Sequence, residues 1–256
     1  MTLIRSATAA VAAILLAAFA SAPPALAQMK TQWVDYSHGG EKLKGYMAWD
    51  DSKKGKRPAI FIAYDRSGMS DRTRETVEQW SKLGYVVFAA DIYGMVPKDS
   101  KEMVEQTTRF RKDRALMRAR TQAGYDVLAA NPMVDASKIA LIGYCFGGGV
   151  GVEFGSTGVP LVANIAIHGS FGGHEPGWAK NMKGRFVILH GAEDPNYPKE
   201  VDVVIAELRG AKAAFEMSLY SGTGHGFSHP KNKDEERANV EAIATTTRML
   251  KELFGS

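Results

Sequence analysis

One cysteine set among glycines carries the strongest chemical signal in the chain. Cys145 lies in Gly143-Tyr144-Cys145-Phe146-Gly147, and Gly148 and Gly149 follow. The apolar run Ile139-Ala140-Leu141-Ile142 reads as a buried strand before it, and Gly147 to Gly155 reads as a small-residue helix after it. This is the nucleophile-elbow pattern, with cysteine where serine is usual. A tight strand-to-helix turn holds the nucleophile in a strained conformation. Glycines two residues to either side remove side chains that would collide there. The thiol is aimed at a helix N-terminus, whose dipole and free N–H groups favour thiolate. The alternative is a buried structural cysteine in a glycine-rich turn.

Two residues downstream complete a constellation. Asp194, in His190-Gly191-Ala192-Glu193-Asp194-Pro195, follows a predicted strand ending at Leu189. His225, in Gly222-Thr223-Gly224-His225-Gly226-Phe227, follows one ending at Tyr220. Nucleophile, acid and histidine in that order are the order of α/β-hydrolases. Cys145 would attack a carbonyl carbon. His225 would take the thiol proton and later protonate the leaving group, and Asp194 would fix the imidazole tautomer. Each has a rival reading. Asp194 could cap the helix predicted from Pro198, and Glu193 is its neighbour. His225 competes with His38, His168, His174, His190 and His229.

The elements that must position these residues alternate. Trp33 to Ser37 and Leu43 to Trp49 read as strands around the turn His38-Gly39-Gly40. Ala59 to Ala63 is continuously apolar, as in a strand buried on both faces. Ser70 to Leu83 reads as a helix burying Val77, Trp80 and Leu83, stopped by Gly84. Tyr85 to Ala90 is a strand. Lys98 to Ala130 is a long polar helix region, with Leu116, Ala119, Ala123 and Val127 at helical spacing. Lys138 to Tyr144, Leu161 to Ile167, Arg185 to His190 and Ala213 to Tyr220 are strands. Pro198 to Arg209 and Lys233 to Phe254 are helices. This order predicts an α/β fold with a mostly parallel central sheet and helices on both faces. Sites in such sheets lie at the carboxyl ends of the strands.

With these residues in place, the chain resembles the dienelactone hydrolase family of the α/β-hydrolase superfamily. The likeness rests on the Cys145 elbow, His190 to Asp194, Gly224 to Phe227, and the stretch Leu83 to Gly94. It implies a cofactor-free hydrolase of a small ester or lactone that works through a cysteine. It also implies an oxyanion hole made by the backbone N–H of Phe146 and an N–H after Ala63, that of Arg66. The family's thiol-modulating glutamate corresponds to Asp65, one methylene shorter. The alternative for Asp65 is a loop residue paired with Arg66. His229 stands where dienelactone-cleaving relatives place an arginine, and His229 and Tyr93 are weak substrate-binding candidates.

Composition bounds the rest. The chain has 256 residues, 45% hydrophobic and 23% charged, which excludes a disordered chain. A single cysteine excludes an internal disulfide and any multi-cysteine metal site, and no metal-binding spacing is present. The net charge of +4, without aromatic interleaving, does not point to nucleic acid. Residues 1–27 read as a secretory signal peptide: Arg5, an apolar middle from Ala7 to Ala20, then Ala25-Leu26-Ala27. The expectation is one exported, periplasmic or secreted domain over 28–256, with no stable membrane insertion once the signal is removed. Lys98 to Arg120 holds eight basic and four acidic residues, read as a solvated helix face or a basic lip for anionic substrates. Two competing functions remain open at this point. One is a non-catalytic ligand-binding protein on a hydrolase scaffold, and the other is a redox-sensitive thiol protein. The oligomeric state is not legible in the sequence.

Overall fold

The computed structural model describes residues 27–255, so nearly all of the expected signal peptide lies outside the described residues. Eight strands form one sheet: β1 (Met29–His38), β2 (Glu41–Asp50), β3 (Arg57–Ala63), β4 (Val86–Ala89), β5 (Val134–Tyr144), β6 (Ala163–Ile167), β7 (Arg185–Gly191) and β8 (Phe215–Tyr220). Their order across the sheet is β1-β2-β4-β3-β5-β6-β7-β8. The first two strands form an antiparallel hairpin, and β2 runs antiparallel to β4. From β4 to β8 every pairing is parallel. This is the mostly parallel sheet expected, with an antiparallel edge.

Ala59 to Ala63 of β3 and Ile139 to Ile142 of β5 are buried at every position. Alternate residues of a strand face opposite sides, so the centre of the sheet is covered on both faces. The cover comes from α1 (Asp71–Ser81), α2 (Ser100–Lys112), α3 (Arg114–Ala129), α4 (Phe146–Gly155), α5 (Lys199–Gly210) and α6 (Lys233–Phe254). Among the described residues no helix is long and apolar enough to cross a membrane.

Three details differ from the sequence reading. The helix region from Lys98 to Ala130 is two helices that meet at Asp113. This residue closes α2, and its carboxylate accepts the N–H of Leu116 to cap α3. A capping carboxylate breaks the helix there without glycine or proline. The buried face of α3 is Met117, Arg120, Thr121, Gly124, Tyr125 and Leu128, which includes the positions one on from the expected stripe. The shift follows from Arg120, which is buried and donates to the carbonyls of Ile92 (3.0 Å) and Tyr93 (2.8 Å). Leu83 is 46% exposed, because α1 stops at Ser81 and helical spacing no longer applies to it.

Candidate active site

Cys145 occupies the single-residue turn between β5 and α4, with φ 51° and ψ −112°. A positive φ is uncommon for a residue other than glycine, and here it lifts the side chain out of the strand-to-helix path. Two glycines make the turn sterically feasible. A Cβ on Gly143 would lie 2.2 Å from the carbonyl oxygen of Gly147, and one on Gly147 would lie 2.0 Å from that of Ala63. The first turn of α4 therefore rests directly on the end of β3. The elbow is also stitched to β6. Cys145 N–H donates to Ile167 (3.2 Å), and Ser170 N–H donates to the Cys145 carbonyl (2.9 Å).

The structure brings the three residues singled out in sequence to one point. Cys145 Sγ lies 3.0 Å from His225 Nε2, and His225 Nδ1 lies 2.7 Å from Asp194 Oδ2. Asp194 is 2% exposed, and its Oδ1 accepts the N–H of Asn196 (2.9 Å) rather than capping α5. Glu193 is exposed on the same loop. Burial pushes the Cys145 thiol up, but the hydrogen bond and charge of His225 outweigh it and leave the thiol below its usual value. The Asp65 charge opposes that lowering, and the N–H of Phe146 assists it. Burial depresses His225. The bond and charge of Cys145, followed by those of Asp194, overcome it and raise the imidazole from 6.5 to about 9. Both shifts favour a thiolate–imidazolium pair.

Other histidines surround the site without joining it. His168 is buried, with its ring edge-on to His225 (5.2 Å between centroids) and to Phe227 (5.2 Å). Its Nε2 pairs with Ser228 Oγ (2.7 Å), and burial, then the His225 charge, keep it neutral. His190 Nε2 is 3.3 Å from Asp194 Oδ2, but neither ring nitrogen makes a hydrogen bond among the described residues. Burial depresses it more than Asp194 raises it, so His190 is neutral too.

The remaining candidates are dispersed. Asp65 is half-buried. Its Oδ1 accepts from the Ser67 N–H (2.7 Å) and hydroxyl, and its Oδ2 lies 3.8 Å from Arg72. It reaches Cys145 through its charge, not through a hydrogen bond, and its cationic neighbour is Arg72, not Arg66. Arg66 is exposed, and its backbone N–H has no protein acceptor among the described residues. Tyr93 is 2% exposed and packs against Tyr64 (5.0 Å), Phe146 (5.4 Å) and Phe110 (5.5 Å). Its hydroxyl has no hydrogen bond among the described residues. Burial first, then the charges of Cys145 and Asp65, hold its proton on. His229 lines a cleft of about 120 Å³ with Arg72, Gln79, Tyr144 and Asn239. Burial and then Arg72 depress it.

Three features of the site escaped the sequence reading. Ser170 Oγ sits 4.0 Å from the Cys145 sulfur, and its only sequence signal is its place just after β6. The Tyr64 hydroxyl accepts the N–H groups of Ile92 and Tyr93 (2.7 Å each), tying the loop after β3 to the loop after β4. Buried Glu153 on α4 accepts from Arg114 and Arg118 (2.6 Å each). That last pairing revises the basic lip. Arg114, Arg118 and Arg120 are engaged internally, which leaves Lys98, Lys101, Arg109, Arg111 and Lys112 exposed. Among the described residues no group of three His, Cys, Asp or Glu side chains forms a metal-binding cluster.

A parallel sheet with an acute elbow after its central strand, and an acid and a histidine after later strands, defines the α/β-hydrolase class. The family model for the dienelactone hydrolase family matches residues 43–254. The chain belongs to this family, whose members are hydrolases of ester and lactone bonds. A carboxymethylenebutenolidase homolog from Rattus norvegicus is 24% identical over 214 residues, 82% of this chain and 86% of that one. The crystal structure of a dienelactone hydrolase-like promiscuous phosphotriesterase from metagenomic libraries superimposes with a TM-score of 0.82 at 30% identity, over 88% of this chain and 99% of that one. A dienelactone hydrolase from Anabaena variabilis shares the fold, with a TM-score of 0.64 at 19% identity over 86% of this chain and 98% of that one.

Proposed function

We propose that this chain is an exported, cysteine-dependent hydrolase of small carboxylic esters or lactones, acting through Cys145, His225, Asp194 and an acyl-enzyme. The observation that carries the reading is the continuous line from Sγ to Nε2 (3.0 Å) and from Nδ1 to a buried carboxylate (2.7 Å). The Cys145 thiolate attacks the ester carbonyl carbon, and the carbonyl electrons move onto oxygen. The N–H groups of Phe146 and Arg66 receive that oxyanion. Support for Arg66 is its free N–H and the direct contact of α4 with the end of β3. On collapse the C–O bond breaks, and His225 gives its proton to the departing alkoxide. Water then attacks the thioester carbon and gives its proton to His225, and the acid leaves as the thiolate reforms. Asp194 holds Nδ1–H so that Nε2 faces the sulfur. No cofactor enters these steps.

Export rests on the order of the first 27 residues: a basic start, an apolar middle and a small-residue end. The test of the chemistry is Cys145→Ala. Hydrolysis of 4-nitrophenyl acetate should fall to the uncatalysed rate while the far-UV circular dichroism stays that of the folded wild type, and mass spectrometry of the wild type should find an acetyl adduct on Cys145. A fully active Cys145→Ala protein refutes the reading. A panel of esters, lactones and an aryl phosphotriester, with and without a carboxylate, then sorts the substrates. The phosphotriester belongs there because of the 30% identical relative named above.

A further inference from the structure

A cavity of about 500 Å³ lies beside the site and has no part in the steps above. Its walls include Phe171, His174, Trp178, Pro195, Asn196 and Val204. Such a volume is within the usual range of small-molecule sites. The cavity starts one residue beyond two groups already described. Phe171 follows Ser170, which bonds the Cys145 carbonyl and has its hydroxyl 4.0 Å from the sulfur. Pro195 and Asn196 follow Asp194, and the Asn196 N–H bonds it.

The sheet order decides which part of a substrate faces this cavity. In the sheet β5 lies between β3 on one side and β6 and β7 on the other. The proposed oxyanion donor Arg66 belongs to the β3 side. The leaving oxygen must instead meet His225 Nε2, which is anchored to Asp194 after β7. A leaving group therefore extends toward β6 and β7, where the cavity lies.

His174 gives the cavity a polar floor. Its Nδ1 lies 2.6 Å from Glu153 Oε1, with Arg114 Nη1 2.6 Å from the same oxygen. Burial raises Glu153, but its bonds to His174, Arg114 and Arg118 hold it down at about 2, so it is ionised and can only accept. Nδ1 and Nη1, 2.7 Å apart, are then two donors converging on one oxygen. Burial, and then the Arg114 charge, keep the ring neutral. Nε2 thus carries a lone pair with no protein donor among the described residues. It lies 3.7 Å from the point a Cβ on Gly149 would occupy, facing the first turn of α4. Apolar and aromatic walls with one fixed neutral acceptor suit a neutral ring that bears a hydroxyl. Glu200, which accepts the Phe171 N–H (2.6 Å), and Lys199 both line the cavity, so its two charges offset and neither an anion nor a cation is favoured.

We propose that this cavity is the leaving-group site, and that it selects esters of ring-bearing alcohols or phenols carrying one neutral hydrogen-bond donor, which His174 Nε2 accepts. The proposal rests on the cysteine-hydrolase reading above. It is tested with 4-(hydroxymethyl)phenyl acetate, 4-(methoxymethyl)phenyl acetate and ethyl acetate. All three give the same acetyl-enzyme, so differences in kcat/KM report acylation alone. The wild type should prefer the hydroxymethyl ester over its methyl ether by about fivefold, the worth of one neutral hydrogen bond. His174→Phe should bring that ratio to one. Val203→Trp, at a 60% exposed position on the cavity wall, should slow both aryl esters at least tenfold and slow ethyl acetate far less. An independent arm uses Cys145→Ala protein, in which 4-(hydroxymethyl)phenol should change the Trp178 emission, with the signal lost in the additional Trp178→Phe variant. An unchanged ratio in His174→Phe, or equal effects of Val203→Trp on all three esters, overturns the proposal. Retained hydrolysis by Cys145→Ala overturns the cysteine mechanism instead, and the binding arm still reports on the cavity.

Discussion

Gly147→Ala probes the contact that joins the elbow to the loop expected to complete the oxyanion hole. The new Cβ would stand 2.0 Å from the Ala63 carbonyl oxygen, 2.6 Å from its carbon and 2.8 Å from the Tyr64 carbonyl oxygen. All three atoms are backbone, so no side-chain rotation relieves the clash. β3 is buried at its carboxyl end and paired on both sides, and therefore holds its place. The start of α4 must rise by about 1 Å to restore ordinary contact, and Cys145 moves with it. Overpacking of this kind costs about 1–3 kcal/mol, which lowers the midpoint by roughly 3–10 °C in a domain of this size. A 1 Å misplacement of a reacting group costs about 10²-fold in rate. The expected outcome is a folded protein with a lower calorimetric midpoint and a kcat/KM for 4-nitrophenyl acetate reduced about 10²-fold. Gly210→Ala is the control, since α5 ends there and a Cβ meets nothing within 4 Å. It should be neutral or slightly stabilising. A Gly147→Ala enzyme with wild-type kcat/KM and midpoint would refute the argument that this contact sets the site.

Two further outcomes follow from the charges. Because His225 is raised from 6.5 to about 9, its proton adds stability that is complete below pH 6.5 and lost as the pH rises through about 9. The kcat/KM profile should fall across that same upper region, and Asp194→Asn should bring the upper limb down by about one unit along with the rate. An upper limb that stays in place would remove Asp194 from the role assigned to it. Because the Asp65 charge raises the Cys145 thiol, Asp65→Asn should lower the thiol further and speed iodoacetamide alkylation at acidic pH. Slower alkylation would reverse the sign argued here.

The residues at the site were legible because each obeys a local rule. The elbow needs glycines at fixed distances from the nucleophile, the acid follows the buried strand β7, and the histidine follows β8, the half-buried strand at the sheet edge. What escaped is set by contacts distant in sequence. Arg120 turns inward to satisfy the carbonyls of Ile92 and Tyr93, 28 and 27 residues away, and hydrophobic spacing holds no record of that. The same is true of Glu153, whose partners Arg114, Arg118 and His174 come from two other segments. Counting charge along Lys98 to Arg120 therefore overstated the positive surface. The break at Asp113 was nearer to hand, since an aspartate three residues before a helical N–H is a capping signal.

The aspartate at position 65 gains meaning from the geometry. The shorter carboxylate is bound within its own loop by Ser67 and faces Arg72, so it acts on the thiol by charge alone. Two influences then oppose thiolate formation, burial and Asp65, while His225 and the Phe146 N–H favour it. His225 is in turn sustained by Asp194, a buried carboxylate flanked by His190, which burial keeps neutral and which adds no competing charge. The reactive state of Cys145 is therefore decided on the β7 and β8 side of the sheet, through the imidazole. In the proposed mechanism the loop after β3 is left free to receive the oxyanion. In that mechanism this division puts both the proton donor and the cavity at His174 on the same side of the thiol, so that leaving-group chemistry and leaving-group recognition would be controlled from one set of loops.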